Sequence, residues 1–97
     1  MSDKIEVQNI NAPNYVTDVD RAKYQAMRDA LLGALATDAP GKTAAEMKSE
    51  LLKTLDQEVF PGGEKAGWWM KCVQLDLEAK GLVLRANTKP LRFRKVT

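Results

Sequence analysis

The chain has 97 residues, of which 44% are hydrophobic and 29% are charged, and its formal net charge at pH 7 is +2. This length suits one globular domain with a packed core. One cysteine and no histidine exclude an internal disulfide and the commonest general base. Because no side chains have the spacing of a metal site, a catalytic constellation or a phosphate-binding loop, we expect no enzyme, metal, cofactor or small-molecule substrate.

The chain lacks the apolar runs that membranes and export require. Residues 1–10 include Asp3, Lys4 and Glu6, where a signal peptide would have an apolar segment. No stretch approaches the roughly 18 apolar residues of a membrane helix. Since the single cysteine also suits a reducing compartment, the sequence predicts a cytoplasmic protein without membrane contact.

An N-terminal arm at residues 1–17 is predicted to precede a single domain at residues 18–97. Within the arm, apolar and polar residues alternate over Lys4–Gln8, which is typical of a short strand. Asn11 and Pro13 then interrupt regular structure. The arm is therefore expected to be extended, with at most one short strand.

The first helix is predicted to begin at Asp18 or Asp20, because either carboxylate can cap the free N–H groups of a first helical turn. Apolar residues then recur at helical spacing. They are Val19, Tyr24, Met27, Leu31, Leu32 and Leu35. Residues 37–41 end this helix, since they include Pro40.

The second helix is predicted over residues 44–56, directly after a capping box. In this pattern the Thr43 hydroxyl accepts from the Glu46 backbone N–H, and the Glu46 carboxylate reaches back to the Thr43 backbone. The apolar stripe that follows is formed by Met47, Leu51, Leu52 and Leu55.

The third helix follows a breaker at residues 60–63 and is predicted to end at Lys80, with Gly81 in the left-handed conformation that closes a helix. Residues 82–85 and 91–94 predict two strands. This order predicts an α+β, mainly α, winged helix-turn-helix, with three helices and a C-terminal β-hairpin wing. The short strand that such folds have between their first two helices has no clear counterpart, unless the arm supplies it.

Three segments resemble a group of small bacterial proteins of unassigned function. They are residues 60–63 (FPGG), 66–69 (AGWW) and 73–81 (VQLDLEAKG). The resemblance implies a common winged-helix-like fold, and it implies no activity and no site residues.

The third helix is the first place to look for function. At ~100° per residue it has two apolar stripes and one polar side, and the polar side holds Gly67, Lys71, Gln74 and Glu78. Lys71 and Gln74 could read DNA, since lysine can donate to guanine and glutamine can pair with adenine. The alternative is the solvated side of an ordinary core helix.

The hairpin has the most concentrated positive charge. Strand alternation predicts one apolar face, formed by Leu82, Leu84, Leu91 and Phe93. It predicts an opposite face that is mostly basic, formed by Val83, Arg85, Arg92 and Arg94, with Lys89 at the tip. These cations could contact DNA phosphates, or they could only keep an exposed sheet edge from pairing with another chain.

Four further residues of the third helix have two interpretations each. Trp68 and Trp69 point about 100° apart, so either both lie in the core or one is an exposed contact for a partner. Asp76 lies between the apolar stripes and predicts an ion pair or backbone hydrogen bonds, with a hairpin arginine as one candidate partner, and the alternative is a catalytic acid. Cys72 is expected to be a small buried hydrophobe rather than a nucleophile.

Two functions follow as hypotheses. The first is a winged-helix protein that binds double-stranded DNA as a dimer, through Lys71, Gln74 and the hairpin cations. The second is a protein-interaction module on the same scaffold. Its contacts would be Trp68, or strand exchange between two copies through Ile5 and Val7.

Overall fold

A computed structural model describes residues 3–12, 14–38 and 41–96 of the chain. Within these ranges it contains three α-helices and two small antiparallel sheets. The elements in chain order are β1 (Lys4–Gln8), β2 (Val16–Asp20), α1 (Arg21–Ala34), β3 (Lys42–Thr43), α2 (Ala44–Leu52), a 3-10 turn (Pro61–Gly63), α3 (Ala66–Ala79), β4 (Val83–Ala86) and β5 (Arg92–Lys95). The α+β class and the three helices agree with the sequence-based prediction.

β1 and β2 form an antiparallel hairpin in which Ile5 lies opposite Val19. The strand predicted at Lys4–Gln8 is confirmed. Val19 belongs to β2 and not to the first helix, because residues 16–20 alternate between exposed and buried positions with the period of a strand. Val7 and Val19 are buried in the core, and the predicted boundary between arm and domain lies within β2.

α1 begins after Asp20, which is one of the two residues predicted to cap it. The Asp20 carboxylate accepts from the backbone N–H of Lys23 at 3.0 Å. Asp18 instead lies exposed on β2 and caps nothing in the described structure. The helix turns an apolar side to the core, formed by Tyr24, Met27, Ala30, Leu31 and Ala34.

β3 is the short strand between the first two helices, for which the N-terminal arm was the only candidate in the sequence. It pairs with β5, so that Lys42 lies opposite Phe93 and Thr43 lies opposite Arg92. β5 also pairs with β4, which gives a three-stranded sheet in the order β3-β5-β4. Two residues contain too little periodicity to identify a strand, so only the pairing with β5 reveals it.

Gly41 lets the chain enter β3 close to β5. Its φ is +97°, and a Cβ atom at this position would lie 2.2 Å from the carbonyl oxygen of Phe93. Any other residue would therefore meet both a strained backbone angle and a clash with β5. Glycine is required here by the tertiary contact as well as by the turn.

α2 has the predicted start and an earlier end. The Thr43 hydroxyl accepts from the Glu46 backbone N–H at 3.2 Å, and Glu46 Oε1 accepts from the Thr43 N–H at 2.9 Å. The helix ends at Leu52 and not near residue 56. The Asp56 carboxylate accepts from the Glu58 N–H at 2.8 Å and so stabilises a separate turn that competes with a longer helix.

β4 and β5, which together with β3 form what we call the C-terminal sheet, follow a left-handed Gly81, whose φ is +77°. Both strands begin one residue later than predicted. The predicted faces of β5 are confirmed, with Phe93 buried and Arg92 and Arg94 on the opposite face, but those of β4 are exchanged. Arg85 lies opposite Phe93, so these two share the face that meets the core, while Leu84 is exposed on the other face. The apolar run from Leu82 to Leu84 fits either face, and packing against the core selects Val83 as the buried residue.

The core lies between the three helices, with the N-terminal hairpin on one side and the C-terminal sheet on the other. Its most deeply buried members are Met27, Leu31, Met47, Leu51, Phe60, Val73, Leu77 and Val83. None of the helices in the described ranges has the length and apolar character needed to cross a bilayer.

Removing the α2 cap should destabilise the domain measurably. In Thr43→Ala, the Glu46 N–H loses its acceptor, and we expect a loss of about 1 kcal/mol in the free energy of unfolding, measured by urea denaturation. Ser49→Ala, at an exposed position on the same helix, is the matched control and should leave stability unchanged or slightly higher. Equal effects of the two substitutions would contradict a stabilising cap.

Candidate functional site

α3 is held on three sides. Its core side packs against the other helices and includes Ala66, Trp69, Met70, Val73 and Leu77. Its second side faces the N-terminal hairpin, and its third side faces β4 of the C-terminal sheet. The exposed residues near the start of α3, Trp68 and Lys71, are therefore the part of this helix that a ligand can reach.

Asp76 links α3 to the N-terminal hairpin and to α1. Its side chain is fully buried, and Oδ1 accepts from the backbone N–H of Gln8 at 2.8 Å. Oδ2 accepts from the Tyr24 hydroxyl and from Lys80 Nζ, the latter at 2.8 Å. The predicted ion pair and backbone hydrogen bond are both present, although the cation is Lys80 and not a hairpin arginine.

Tyr24 is kept protonated by this arrangement. Burial of the ring raises the pKa of Tyr24 well above its ordinary value, and the hydrogen bond to the Asp76 carboxylate raises it further. The phenol therefore acts as a hydrogen-bond donor to a charged acceptor. The three donors around Asp76 compensate the burial of its charge, which would be costly without partners.

Glu78 is the carboxylate that receives a hairpin arginine. Arg85 Nε and Nη2 donate to the two carboxylate oxygens of Glu78, each at 2.8 Å. Gln74 also donates its side-chain amide to Glu78 at 3.2 Å. Gln74 and Glu78 are only 5% and 7% exposed, so a network inside the domain closes this part of the predicted polar side, whereas Lys71 on the same side stays exposed.

The other cations of the C-terminal strands also have partners within the domain. Arg92 donates to the Gly41 carbonyl at 3.0 Å and lies 3.4 Å from the Glu46 carboxylate. Arg94 donates to the Thr37 carbonyl at 3.3 Å. Arg92 and Arg94 are thus engaged with the connection between α1 and α2, and Arg85, predicted for the same face, lies on the other face of the sheet.

The carbonyl end of α1 receives several of these positive charges. Lys95 Nζ donates to the Leu32 carbonyl at 3.1 Å, and Lys42 Nζ donates to the Ala34 carbonyl at 2.6 Å. Carbonyl groups at a helix C-terminus lack helical partners and carry partial negative charge, so cations stabilise them. Lys95 of the basic C-terminal segment therefore stabilises the end of α1, together with Lys42 of β3.

Lys71 and Lys89 differ from the other predicted DNA contacts. Both are exposed, and neither forms an ion pair within the residues that the structure describes. Lys71 lies on α3, and Lys89 lies in the loop between β4 and β5. Of the six side chains predicted to contact DNA, these two are the ones that lie free at the surface.

The two tryptophans have different environments. Trp69 is 8% exposed and packs edge-on against Phe60, with 6.1 Å between the ring centroids. Trp68 is 60% exposed and touches Trp69 edge-on at 5.1 Å. The hypothesis of one core tryptophan and one exposed tryptophan is confirmed, and Trp68 is the exposed one.

Trp68 borders an open cavity between the N-terminal hairpin and α3, which we call the Trp68 groove. Its volume is about 300 Å³. Its apolar lining consists of Val7, Tyr15, Val19, Trp68, Cys72 and Leu75. Lys71 is the charged residue of the lining, and Tyr15 is 55% exposed. The groove therefore combines aliphatic walls, two exposed aromatic rings and one positive charge.

Ile5 and Val7, the predicted residues for strand exchange, belong to the hairpin of their own chain. Val7 is buried and forms part of the groove floor, while Ile5 is half-buried against the core. Tyr15 was missed by the sequence analysis because the segment before β2 lacked a predicted element. The alternation from Val16 to Asp20 is the signal that could have indicated it.

Cys72 lies in the groove wall and is half-buried. Burial raises the pKa of the Cys72 thiol, and the nearby Asp76 charge raises it further. Thiolate formation is thereby disfavoured. In the described ranges no group of three or more candidate ligands could hold a metal ion.

The chain belongs to the family of unknown function DUF6958. The match covers residues 4–93, and so includes all three helices, the N-terminal hairpin and the C-terminal sheet as far as the first half of β5. The resemblance to small proteins of unassigned function is confirmed at this level, while the motif segments and the winged-helix assignment stay predictions. Neither the curated proteins nor the solved structures include a match to the chain.

Truncating Asp76 should cost a large part of the stability of the domain. Asp76→Ala leaves Lys80, the Tyr24 hydroxyl and the Gln8 N–H without their acceptor, and we expect a loss of about 3–5 kcal/mol in urea denaturation. Asp18→Ala, at an exposed position on β2, is the control and should have little effect.

Tyr24→Phe provides a graded test if Asp76→Ala does not fold. It keeps the ring and removes one donor, so its loss should be about 1.5–3 kcal/mol and smaller than that of Asp76→Ala. A Tyr24→Phe domain as stable as the wild type would contradict the importance of this network.

Cys72 should report on the groove through its reaction with a thiol reagent. At pH 8 we expect modification severalfold slower than in the urea-unfolded chain, because the thiol is half-buried and its pKa is raised. Trp68→Ala, which removes the ring bordering the groove, should accelerate the reaction. Equal rates for the folded and unfolded chains would show that the groove does not shield Cys72.

Proposed function

We propose that this chain is a winged-helix domain that binds a protein partner through the Trp68 groove. The observation that carries the proposal is the exposure of Trp68 beside Tyr15 at the opening of an apolar cavity. Exposed aromatic side chains at the edge of apolar pockets are typical anchors of protein interfaces. Burying such rings against a partner would remove apolar surface from water.

The winged-helix part of the proposal draws support only from the elements that follow β2, since the chain begins with two strands that a plain winged helix lacks. From α1 onwards the chain runs helix, short strand, helix, helix and two strands. The short strand β3 pairs with the last strand β5, as in a wing anchored to the helical core. The N-terminal hairpin is then an addition that packs on α3 and forms one wall of the Trp68 groove.

Binding to double-stranded DNA has less support from the same residues. Gln74 is 5% exposed and its side-chain amide donates to Glu78, so this amide is not free to pair with a base edge. Arg85, Arg92 and Arg94 each donate to a group within the domain. A protein that neutralises several phosphates needs free cations on one surface, and few of the predicted ones are free.

Strand exchange between two copies also has less support. Val7 is already paired within its own hairpin and buried in the core. Exchange would require opening the hydrogen bond between the Gln8 N–H and Asp76. A partner that fills the existing groove needs no such opening, and for this reason we prefer it.

The proposed function predicts Trp68-dependent capture of a partner. Wild-type protein and a Trp68→Ala variant would be used as bait in a lysate of the source organism, with Leu84→Ala as the matched control. Leu84 is an exposed apolar residue on β4, outside the groove. We expect a protein that is retained by wild type and Leu84→Ala and lost with Trp68→Ala, and that binds again after purification.

A labelled mixed-sequence DNA duplex provides the opposing test. At low salt a non-specific DNA reader should bind it with a dissociation constant at or below the range of about 10⁻⁴–10⁻⁶ M. The partner-binding function predicts no duplex binding in this range by fluorescence anisotropy. Salt-sensitive duplex binding that is lost in an Arg85→Ala/Arg92→Ala/Arg94→Ala variant, together with no Trp68-dependent capture, would overturn it.

A further inference from the structure

We infer that the Trp68 groove takes a short peptide segment with one large apolar side chain flanked by carboxylates. This inference rests on the proposed function and specifies the chemistry of the partner. Three features of the groove support it: its size, the character of its walls and the sign of the charges around it.

The size of the groove suits one anchoring side chain. Its volume of about 300 Å³ lies at the lower end of the range for ligand pockets, which is about 300–1,000 Å³. A cofactor would have little of its surface buried in this space. A single leucine or aromatic side chain of a peptide fits within it and leaves room for part of the flanking backbone beside Tyr15 and Trp68.

The walls of the groove select an apolar anchor. Val7 and Val19 come from the hairpin, and Leu75 comes from α3, so aliphatic side chains line the cavity from both sides. The two exposed rings stand next to these walls and could cover the inserted side chain. The lining also contains the polar residues Gln8, Asn9 and Thr17, but most of its surface is apolar, so burial here favours an apolar side chain.

The charge in the lining of the groove is positive. Lys71 is the one charged residue in the lining, and the lining contains no carboxylate in the described part of the chain. Lys48 of α2 brings its ammonium group beside Gly67, within 3.4 Å of the point where a Cβ would lie. Lys71 and Lys48 are exposed, and no ion pair engages either in the described ranges.

The nearest carboxylates of α3 do not cancel this charge. Asp76 is fully buried with Lys80 as its ion-pair partner, and Glu78 is held by Arg85. Acidic residues beside the anchor of the peptide would therefore meet uncompensated lysines. Complementary charge of this kind speeds association and disfavours basic competitors.

A single-stranded nucleic acid is the closest rival, because bases can stack on aromatic rings and phosphates can pair with lysines. Such sites use a positive groove that follows the backbone over several nucleotides. The Trp68 groove is instead a short cavity with aliphatic walls, and the arginines of the C-terminal sheet are engaged elsewhere. The geometry therefore favours the peptide.

The test is a selection of random peptides displayed on phage against the full chain, with depletion on Trp68→Ala. The enriched peptides would be synthesised with a fluorophore and titrated against wild type, Lys71→Glu and the control Leu84→Ala. We expect enrichment of one leucine or aromatic residue with Asp or Glu on either side. Lys71→Glu should weaken binding at least about tenfold, and Leu84→Ala should not.

A peptide with reversed charges tests whether Lys71 acts through its charge. When the acidic residues of a selected peptide are replaced with lysine, binding to wild type should fall and binding to Lys71→Glu should recover. A purely structural effect of the substitution would not produce this recovery. Urea denaturation of the variants should give wild-type midpoints, since Trp68, Lys71 and Leu84 are all exposed.

Three results would overturn the inference. Trp68-dependent peptides without acidic enrichment, and insensitive to Lys71→Glu, would refute the charge preference while leaving the proposed function standing. Failure to select any Trp68-dependent peptide would refute a short peptide as the occupant, and the capture experiment would then decide the proposed function separately. A labelled single-stranded oligonucleotide that binds at low salt and depends on Trp68 would assign the groove to nucleic acid.

Discussion

The buried carboxylate of Asp76 is the contact on which the arrangement of the other elements depends. It accepts from the backbone of β1, from the Tyr24 hydroxyl on α1 and from Lys80 at the end of α3. A buried charge without donors would be strongly unfavourable, so these elements must meet at this point for the domain to fold. The same contact holds the N-terminal hairpin against α3, and the Trp68 groove exists only because the hairpin lies there.

Positive charge in the C-terminal half has a comparable role in joining elements. Arg85 neutralises the buried Glu78, while Lys95 and Lys42 donate to carbonyl groups that end α1. These contacts connect the C-terminal sheet to the helices, and they use most of the charge that makes the segment look like a DNA-binding wing. The lysines beside the groove are not used in this way, and they give that surface its positive character.

The caps and breakers were the features that the sequence predicted best. Asp20, the Thr43 capping box and Gly81 act through neighbours within a few residues, so their effects can be worked out from spacing alone. The strand faces could not be predicted in the same way. The apolar run from Leu82 to Leu84 contains an acceptable residue for either face, and a shift of one residue exchanges the two.

By itself, the sequence determined three helices with their approximate ends, a C-terminal hairpin, an amphipathic α3 and a buried Asp76 in need of partners. Only the tertiary structure decided which residues those partners are, that Gln74 is buried and bonded to Glu78, and that Trp68 rather than Trp69 faces solvent. These outcomes depend on residues that are distant in sequence, such as Gln8 and Tyr24, which both donate to Asp76. Local sequence patterns predict caps, turns and the period of each element, because these depend on residues a few positions apart. Contacts between distant segments depend instead on how the elements pack together.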